Sequence, residues 1–335
     1  MRNKKLFFAI LSLISTSYIN AQTQDFDYQK IEKIVDSINV QNISVQNLFK
    51  YQILAHKENQ FNPEMIVKNV YLPQQKLWDS CYAQIFGDEN AKHFNNEEGM
   101  INWNKTLFNK NKSEFIDQAN TITKFDLNKL LKTNLKKFSK LVPYQPSAKI
   151  SLIFTPITGI GFGGCEADQF ALELNNKSIN IAYSLEKGLP HELNHLVYEK
   201  FRNNDVDKNS ALAQSIDEGF ACYFTYIFFD KKITEYEAVE NMTKENWDWF
   251  LKNEKEIFTK MKVYFDDQSG NNPLLRNDKH KIFPDAPKSL NYWLGFRIIS
   301  TYVKKHGKDS WKDIYNLTAK QVLEKSDYEK YLEKL

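Results

Sequence analysis

The segment His191-Glu192-Leu193-Asn194-His195 constrains this chain more than any other, because it fits the pattern H-E-x-x-H. On a helix, residues four apart share a face, so the imidazoles of His191 and His195 can bind one metal ion. Glu192 follows the first histidine and can act as a general base on a metal-bound water. The pattern therefore predicts a zinc site on a helix.

A zinc ion that keeps one open position needs a third protein ligand, which a neighbouring helix should supply. The run from 210 to 229 is uncharged except for Asp217 and Glu218. Carboxylates in an apolar helix need a partner, and a cation satisfies that need. We therefore predict His191, His195 and Glu218 as ligands of Zn²⁺. The alternative, a helix with two solvated histidines, leaves the carboxylates without a partner.

Together with D-E-G-F-A-C-Y-F at 217–224, the motif resembles the gluzincin clan of zinc metallopeptidases, which includes thermolysin and the neutral aminopeptidases. The resemblance covers about residues 150 to 307. It implies an exported zinc metallopeptidase that hydrolyses peptide bonds, with the three ligands named above, Glu192 as general base, and a peptide or protein as substrate.

The resemblance also directs attention to groups around the metal. In thermolysin-like members an aspartate four residues after the third ligand supports the first histidine, but Cys222 occupies that position here. Another group must therefore support the histidines. The downstream helix of the clan carries a tyrosine, and Tyr292 is our candidate for the donor to the oxyanion. His280 and Tyr223 are alternatives.

Two other functions remain open at this point. Glu166 lies in a segment that weakly resembles one in neutral aminopeptidases, where a glutamate binds the amino terminus of the substrate. The chain would then be an aminopeptidase. The second alternative is a non-catalytic zinc-binding protein, in which the metal site is structural.

Residues 1–21 have a basic start, a short apolar run and a small residue at the end, which predicts a signal peptide cleaved after Ala21. We expect an exported protein, periplasmic or secreted, with no membrane insertion after cleavage. The three basic residues of this segment account for the excess of 45 Lys+Arg over 42 Asp+Glu. A mature chain without net charge gives no reason to expect binding to nucleic acid.

Three cysteines are too few for a framework of disulfides. Cys81, Cys165 and Cys222 fit one disulfide with one free thiol, or three buried thiols. The sequence leaves both arrangements open.

Residues 22–146 are predicted to form a helical N-terminal region. Apolar residues recur at helical spacing in 29–38 and 44–54, and Asn62 before a proline is typical of a helix start. The segment 127–141 predicts a basic amphipathic helix. Its lysines are expected to form the solvated face of a packed helix, with contact to a membrane surface as the alternative.

Residues 147–335 are predicted to form the metallopeptidase-like domain. It should contain a buried strand at 149–155, a glycine-rich turn at 159–164 and an edge strand at 178–184 beside the zinc helices. Helices are expected at 245–258 and from 287 to 306. The predicted fold is α+β and mainly helical, with a small mixed sheet and a C-terminal helical subdomain.

Overall fold

The computed structural model describes residues 25–203 and 205–335; the predicted signal peptide, residues 1–21, lies outside this part of the chain. Most of the described residues are helical, and the strands form one small mixed sheet. The predicted fold class, α+β and mainly helical, is therefore confirmed. Within the described residues, no helix has both the length and the apolar character that crossing a bilayer requires.

The sheet contains five strands in the order β1-β2-β3-β5-β4. They are β1 (Ser37–Val40), β2 (Ile43–Gln46), β3 (Ala148–Ile153), β4 (Phe162–Gly164) and β5 (Phe170–Glu173). β2, β3 and β5 run parallel, whereas β1 and β4 pair antiparallel at the two edges. Because β2 pairs with β3, the sheet joins chain from both sides of residue 146.

The first strands correct two predictions in the N-terminal region. The helix predicted at 29–38 ends at Glu32, and the helix predicted at 44–54 begins only at Leu48. Between them a two-residue turn joins β1 to β2, with Gln41 at a φ of 53°. The apolar residues of these segments fit the helical period as well as the strand period, and pairing with β3 decides in favour of strands.

The remaining N-terminal chain is helical as predicted. Asn62 caps its helix by accepting a hydrogen bond from the backbone of Met65, and the predicted basic helix is present at Leu127–Phe138. The helices are α1 (Tyr28–Glu32), α2 (Leu48–Leu54), α3 (Pro63–Ile66), α4 (Ala83–Phe86), α5 (Asp88–Ala91), α6 (Glu97–Thr106), α7 (Lys112–Ile122) and α8 (Leu127–Phe138). Wider or tighter helical turns occupy Lys57–Asn59, Val67–Tyr71, Leu72–Gln74 and Leu77–Tyr82.

Helices also build the rest of the chain after the sheet. They are α9 (Ile181–Tyr183), α10 (Leu189–Arg202), α11 (Ala211–Phe228), α12 (Glu235–Ala238), α13 (Lys244–Lys252), α14 (Glu254–Met261), α15 (Asn277–His280), α16 (Leu290–His306), α17 (Ala319–Ser326) and α18 (Tyr328–Leu332). Other helical turns lie at Ser184–Gly188, Lys262–Tyr264 and Ser310–Asn316. The helix predicted at 245–258 is broken at Asn253, between α13 and α14.

The edge strand predicted at 178–184 is wrong. Asn180 instead caps α9 by accepting a hydrogen bond from the backbone of Tyr183, and the chain continues through a wide helical turn into α10. Pro190 explains the wide turn, because a proline inside a helix has no N–H to donate to the preceding turn. The edge strand that lies beside α10 is β4.

Two anchors fix β4. Cys165, directly after the strand, forms a disulfide with Cys81, which selects one of the two cysteine arrangements and leaves Cys222 as a buried thiol. Before the strand, the carboxylate of buried Glu173 accepts hydrogen bonds from the backbone N–H groups of 159–161 and from the hydroxyl of Tyr82. The glycine-rich turn is therefore wrapped around a carboxylate.

Candidate metal centre

Helices α10 and α11 lie side by side and bring together the three predicted metal ligands. Nε2 of His191 lies 3.1 Å from Nε2 of His195, and Oε2 of Glu218 lies 3.4 Å and 3.2 Å from these two nitrogens. Within the described chain, these three residues form a group that could hold a metal ion. The sequence spacing thus predicted a real cluster of donors.

The dimensions and chemistry of this triangle fit Zn²⁺. Zinc bonds of about 2.0–2.1 Å with tetrahedral angles place neighbouring ligand atoms about 3.3 Å apart. All three atoms can offer lone pairs, and such atoms repel one another unless a cation or a proton lies between them. Oε2 of Glu218 is buried and accepts no hydrogen bond from any described residue. These features match a three-ligand zinc site.

A pair of charged residues orients His195. Its Nδ1 donates a hydrogen bond of 2.8 Å to Oδ1 of Asp217, which leaves Nε2 free to bind the metal. The second oxygen of Asp217 lies 2.5 Å from the guanidinium of Arg202, and that guanidinium also donates to the backbone carbonyl of Lys208. Asp217 thus provides for His195 the support that the sequence left unassigned.

His191 has a weaker partner. Its Nδ1 lies 3.8 Å from the sulfur of Cys222, at the position where thermolysin-like peptidases carry the supporting aspartate. Burial raises the pKa of the Cys222 thiol well above its ordinary value, so the thiol stays protonated. The support of the two histidines is therefore reversed relative to the predicted pattern, and it is strong only at the second.

Two glycines bring the neighbouring helix α16 into direct contact with α11. A Cβ at Gly295 would overlap the backbone carbonyl of Ser215, and one at Gly219 would overlap the backbone of Gly295. This close crossing places Tyr292, one turn before Gly295, at the metal centre. Its ring is stacked on that of His191, with the centroids 6.3 Å apart.

The metal centre lines a cavity of about 910 Å³. Glu192, Tyr292, Glu240 and Arg276 contribute polar groups to its wall, and β4 forms part of another side. A Cβ at Gly163 of β4 would lie 3.2 Å from Oε2 of Glu192, so the strand and the helix are in contact here. A group that enters this cavity can therefore reach all three predicted ligands.

Burial and charge shift the protonation of these groups. Burial raises the pKa of Glu192 to about 7. Burial opposes protonation of His195, but the negative charges of Asp217 and Glu218 outweigh it and raise the pKa of His195 well above 6.5. For Glu218, burial favours the neutral acid, but the charge of His195 outweighs it and lowers the pKa. Binding of a metal ion, which needs the neutral imidazole, therefore competes with protonation of His195.

The other candidates from the sequence lie outside the cavity. Glu166 lines a different cavity with Tyr144 and Lys200, and it is not among the residues that line the cavity of the candidate metal centre. His280 bonds to the carbonyl of Asn271 on the surface, and Tyr223 packs against Phe296 in the core. Sequence reasoning missed Arg202, whose position at the end of α10 gave no signal of a contact with α11.

Residues 176–330, somewhat less than half of the chain, match the model of a family described as Gliding motility protein GldB. Neither the curated proteins nor the solved structures include a match to this chain. The match agrees with the predicted export of the chain.

The family match overturns the assignment as an enzyme. It points to a gliding motility family, so the predicted gluzincin metallopeptidase is wrong, and so is its aminopeptidase variant. The catalytic roles of Glu192 and Tyr292 were part of that prediction. The H-E-x-x-H motif identified a cluster of donors, but a motif of three fixed positions does not identify a reaction. Residues 176–330 of this chain are similar to the gliding motility protein GldB family.

Proposed function

We propose that this chain is an exported zinc-binding protein of the cell envelope, which acts in gliding motility through contacts with other proteins. The triangle formed by His191, His195 and Glu218 carries the zinc part of this proposal, because its edges of 3.1–3.4 Å match those of a zinc site. The orientation of His195 by Asp217 supports it further.

When bound by three protein ligands, Zn²⁺ accepts one further donor. We propose that this donor comes from a partner protein, through a histidine, carboxylate or thiolate that enters the cavity. The hydroxyl of Tyr292 and the carboxyl of Glu192 line the same cavity and can hydrogen-bond to the entering segment. In this arrangement the metal joins two polypeptides, so its proposed role is binding and not catalysis.

The envelope part of the proposal has two supports. Gliding motility is the description of the matching family. The disulfide between Cys81 and Cys165 is typical of a protein that folds in an oxidising compartment such as the periplasm. We propose the periplasmic side of the envelope as the place of action.

Elemental analysis of the purified chain tests the zinc site. We expect about one zinc per chain in the wild type, and less than about a tenth of this in Glu218→Gln after dialysis against a weak chelator. Glu240→Gln is the matched control, because Glu240 lines the cavity outside the ligand triangle. A wild-type chain without zinc, or a Glu218→Gln variant with full zinc, would contradict the proposal.

A motility assay tests the proposed role in gliding independently of the zinc analysis. In a gliding host, deletion of the gene should abolish colony spreading. Wild type and Glu240→Gln should restore it, whereas the double variant His191→Ala and His195→Ala should not. Spreading without the gene would refute the role in gliding and leave the zinc site intact. Full rescue by the double variant would mean that gliding does not depend on the zinc site.

A further inference from the structure

A second cavity, far along the chain from the metal ligands, has an apolar floor that solvent can reach. It has a volume of about 600 Å³ and lies between the segment after α1, strand β1 and the turn that joins α7 to α8. Apolar side chains that line it include Ile34, Val35, Ile38, Phe49 and Phe125. Val35 is 56% exposed, so solvent or a ligand can reach its side chain. We call this cavity the lysine groove.

Three lysines surround the groove, namely Lys30, Lys33 and Lys132. All three are exposed. In the part of the chain that the structure describes, no carboxylate pairs with their ammonium groups, whereas neighbouring Lys50 and Lys137 pair with Asp36 and Asp230. The rim of the groove is therefore free to bind anions.

One acid at the groove offsets only part of the positive charge of the rim. Asp126 lines the groove and caps α8 by accepting a hydrogen bond from the backbone N–H of Lys129, so its single negative charge stands against three lysines. From 124 to 140 the chain contains six lysines, and Asp126 is the one acidic residue. Because the chain without residues 1–21 carries equal numbers of basic and acidic residues, this positive region is a local feature.

An apolar groove with a cationic rim is complementary to one class of ligand, an amphiphile with an anionic head. We propose that the lysine groove binds an anionic phospholipid at a membrane surface, with a lipid phosphate against Lys30, Lys33 and Lys132 and acyl carbons against Ile34 and Val35. The apolar contact would cover Val35, and the charges would add to it. The lysines of α8 would then be a membrane-facing surface, in place of the solvated face that the sequence favours.

Vesicle flotation tests this site without reference to zinc. The exported chain should float with vesicles of mixed phosphatidylcholine and phosphatidylglycerol, and remain behind with vesicles of phosphatidylcholine alone. Each lysine near an anionic surface contributes about a fivefold gain in partitioning, so Lys30→Gln, Lys33→Gln and Lys132→Gln combined should lower it about a hundredfold. Added salt should weaken wild-type binding.

Matched controls separate the groove from general charge. The combined change Lys255→Gln, Lys304→Gln and Lys308→Gln removes the same charge from exposed lysines outside the groove and should lower partitioning by less than about fivefold. Equal losses in the two triple variants would overturn the proposal, as would equal binding to both kinds of vesicle or to neither.

A single variant tests the apolar floor. Val35→Asp places a charge where the acyl carbons should lie and should lower partitioning about tenfold or more. Val263→Asp is the control, because Val263 is 73% exposed and lies outside the groove. Both positions are exposed, so both variants should fold. Wild-type partitioning of Val35→Asp would rule out the acyl contact and overturn the proposal.

Discussion

Two carboxylates near the same cavity have opposite surroundings. Glu173 is fully buried and accepts hydrogen bonds from three backbone N–H groups, the amide of Asn176 and the hydroxyl of Tyr82. Glu218 is partly exposed to the cavity, and Oε2 of this residue faces the ring nitrogens of His191 and His195. The first carboxylate meets donors, whereas the second faces two ring nitrogens that can hold a proton or bind a metal ion.

This difference assigns Glu173 to the scaffold and makes Glu218 a candidate ligand. A carboxylate surrounded by donors is already satisfied and needs no ligand. A carboxylate that shares its space with two other lone pairs can be satisfied by a proton or by a cation. Residue type does not separate the two cases; the identity of the neighbouring atoms does.

The largest expected effect is on the scaffold carboxylate. Glu173→Ala leaves five donors without a partner, so we expect the free energy of unfolding to fall by at least about 4 kcal/mol. In the metal-free protein, Glu218→Ala should change it by only about 1 kcal/mol. Urea denaturation with chelator present measures both. Similar losses in the two variants would remove the distinction between scaffold and site.

The gain in stability on zinc binding should depend on Glu218 and not on Glu173, the reverse of the order expected without metal. At a zinc concentration one hundred times the Kd, binding stabilises the wild type by about 2.7 kcal/mol. Glu218→Gln should lose this gain, whereas Glu173→Gln should keep most of it from a lower starting stability. Thermal unfolding with zinc and with chelator provides the measurement. A zinc-induced rise of Tm in Glu218→Gln equal to that in the wild type would contradict the ligand assignment.

The support of His195 should have a smaller effect on zinc. Asp217→Asn removes the charge that orients the imidazole, and changes to such partners weaken metal binding by about 10- to 100-fold. Competition with a chromophoric chelator measures the Kd. Cys222→Ser, at the weaker partner of His191, should weaken binding less than Asp217→Asn. The reverse order would mean that His191, not His195, depends on its support.

The smallest expected effect is the dependence of the free energy of unfolding on pH. Its sign should differ between the metal-free and the zinc-bound protein. In the metal-free protein the pKa of His195 is raised, so its contribution to stability is complete below about pH 6.5 and declines as the pH rises through the raised pKa. Zinc requires the deprotonated imidazole, so its affinity should increase over the same range. Denaturation from pH 6 to 9, with zinc or with chelator, should give slopes of opposite sign. Parallel slopes would mean that no proton leaves when zinc binds.

The fold class was predictable from the sequence, whereas several elements around the candidate site were not. The spacing of His191 and His195 depends only on the geometry of a helix, and the long α16 has an unambiguous apolar pattern, so both were predictable. The hairpin of β1 and β2 was not, because its apolar residues fit two periods and only pairing with β3 selects one. The strand predicted at 178–184 was wrong because Asn180 was not recognised as a helix cap.

Contacts between helices were the second limit. Asp217 was noticed as a charge in an apolar run, but its partners His195 and Arg202 could not be assigned before α10 and α11 were placed side by side. The close crossing at Gly219 and Gly295 was equally hidden, since a glycine within a helix does not identify the surface that it meets. The predicted function was wrong for another reason. A metal-binding motif specifies the ligand atoms, but it does not specify the function of the site.

The disulfide that anchors β4 has a consequence for when the protein completes its folding. One wall of the metal cavity ends at Cys165, and the bond to Cys81 joins it to a segment 84 residues earlier in the chain. In a reducing cytoplasm this bond does not form. For the exported zinc-binding protein that we propose, we therefore expect the cavity to reach its final shape, and zinc to bind stably, only after export.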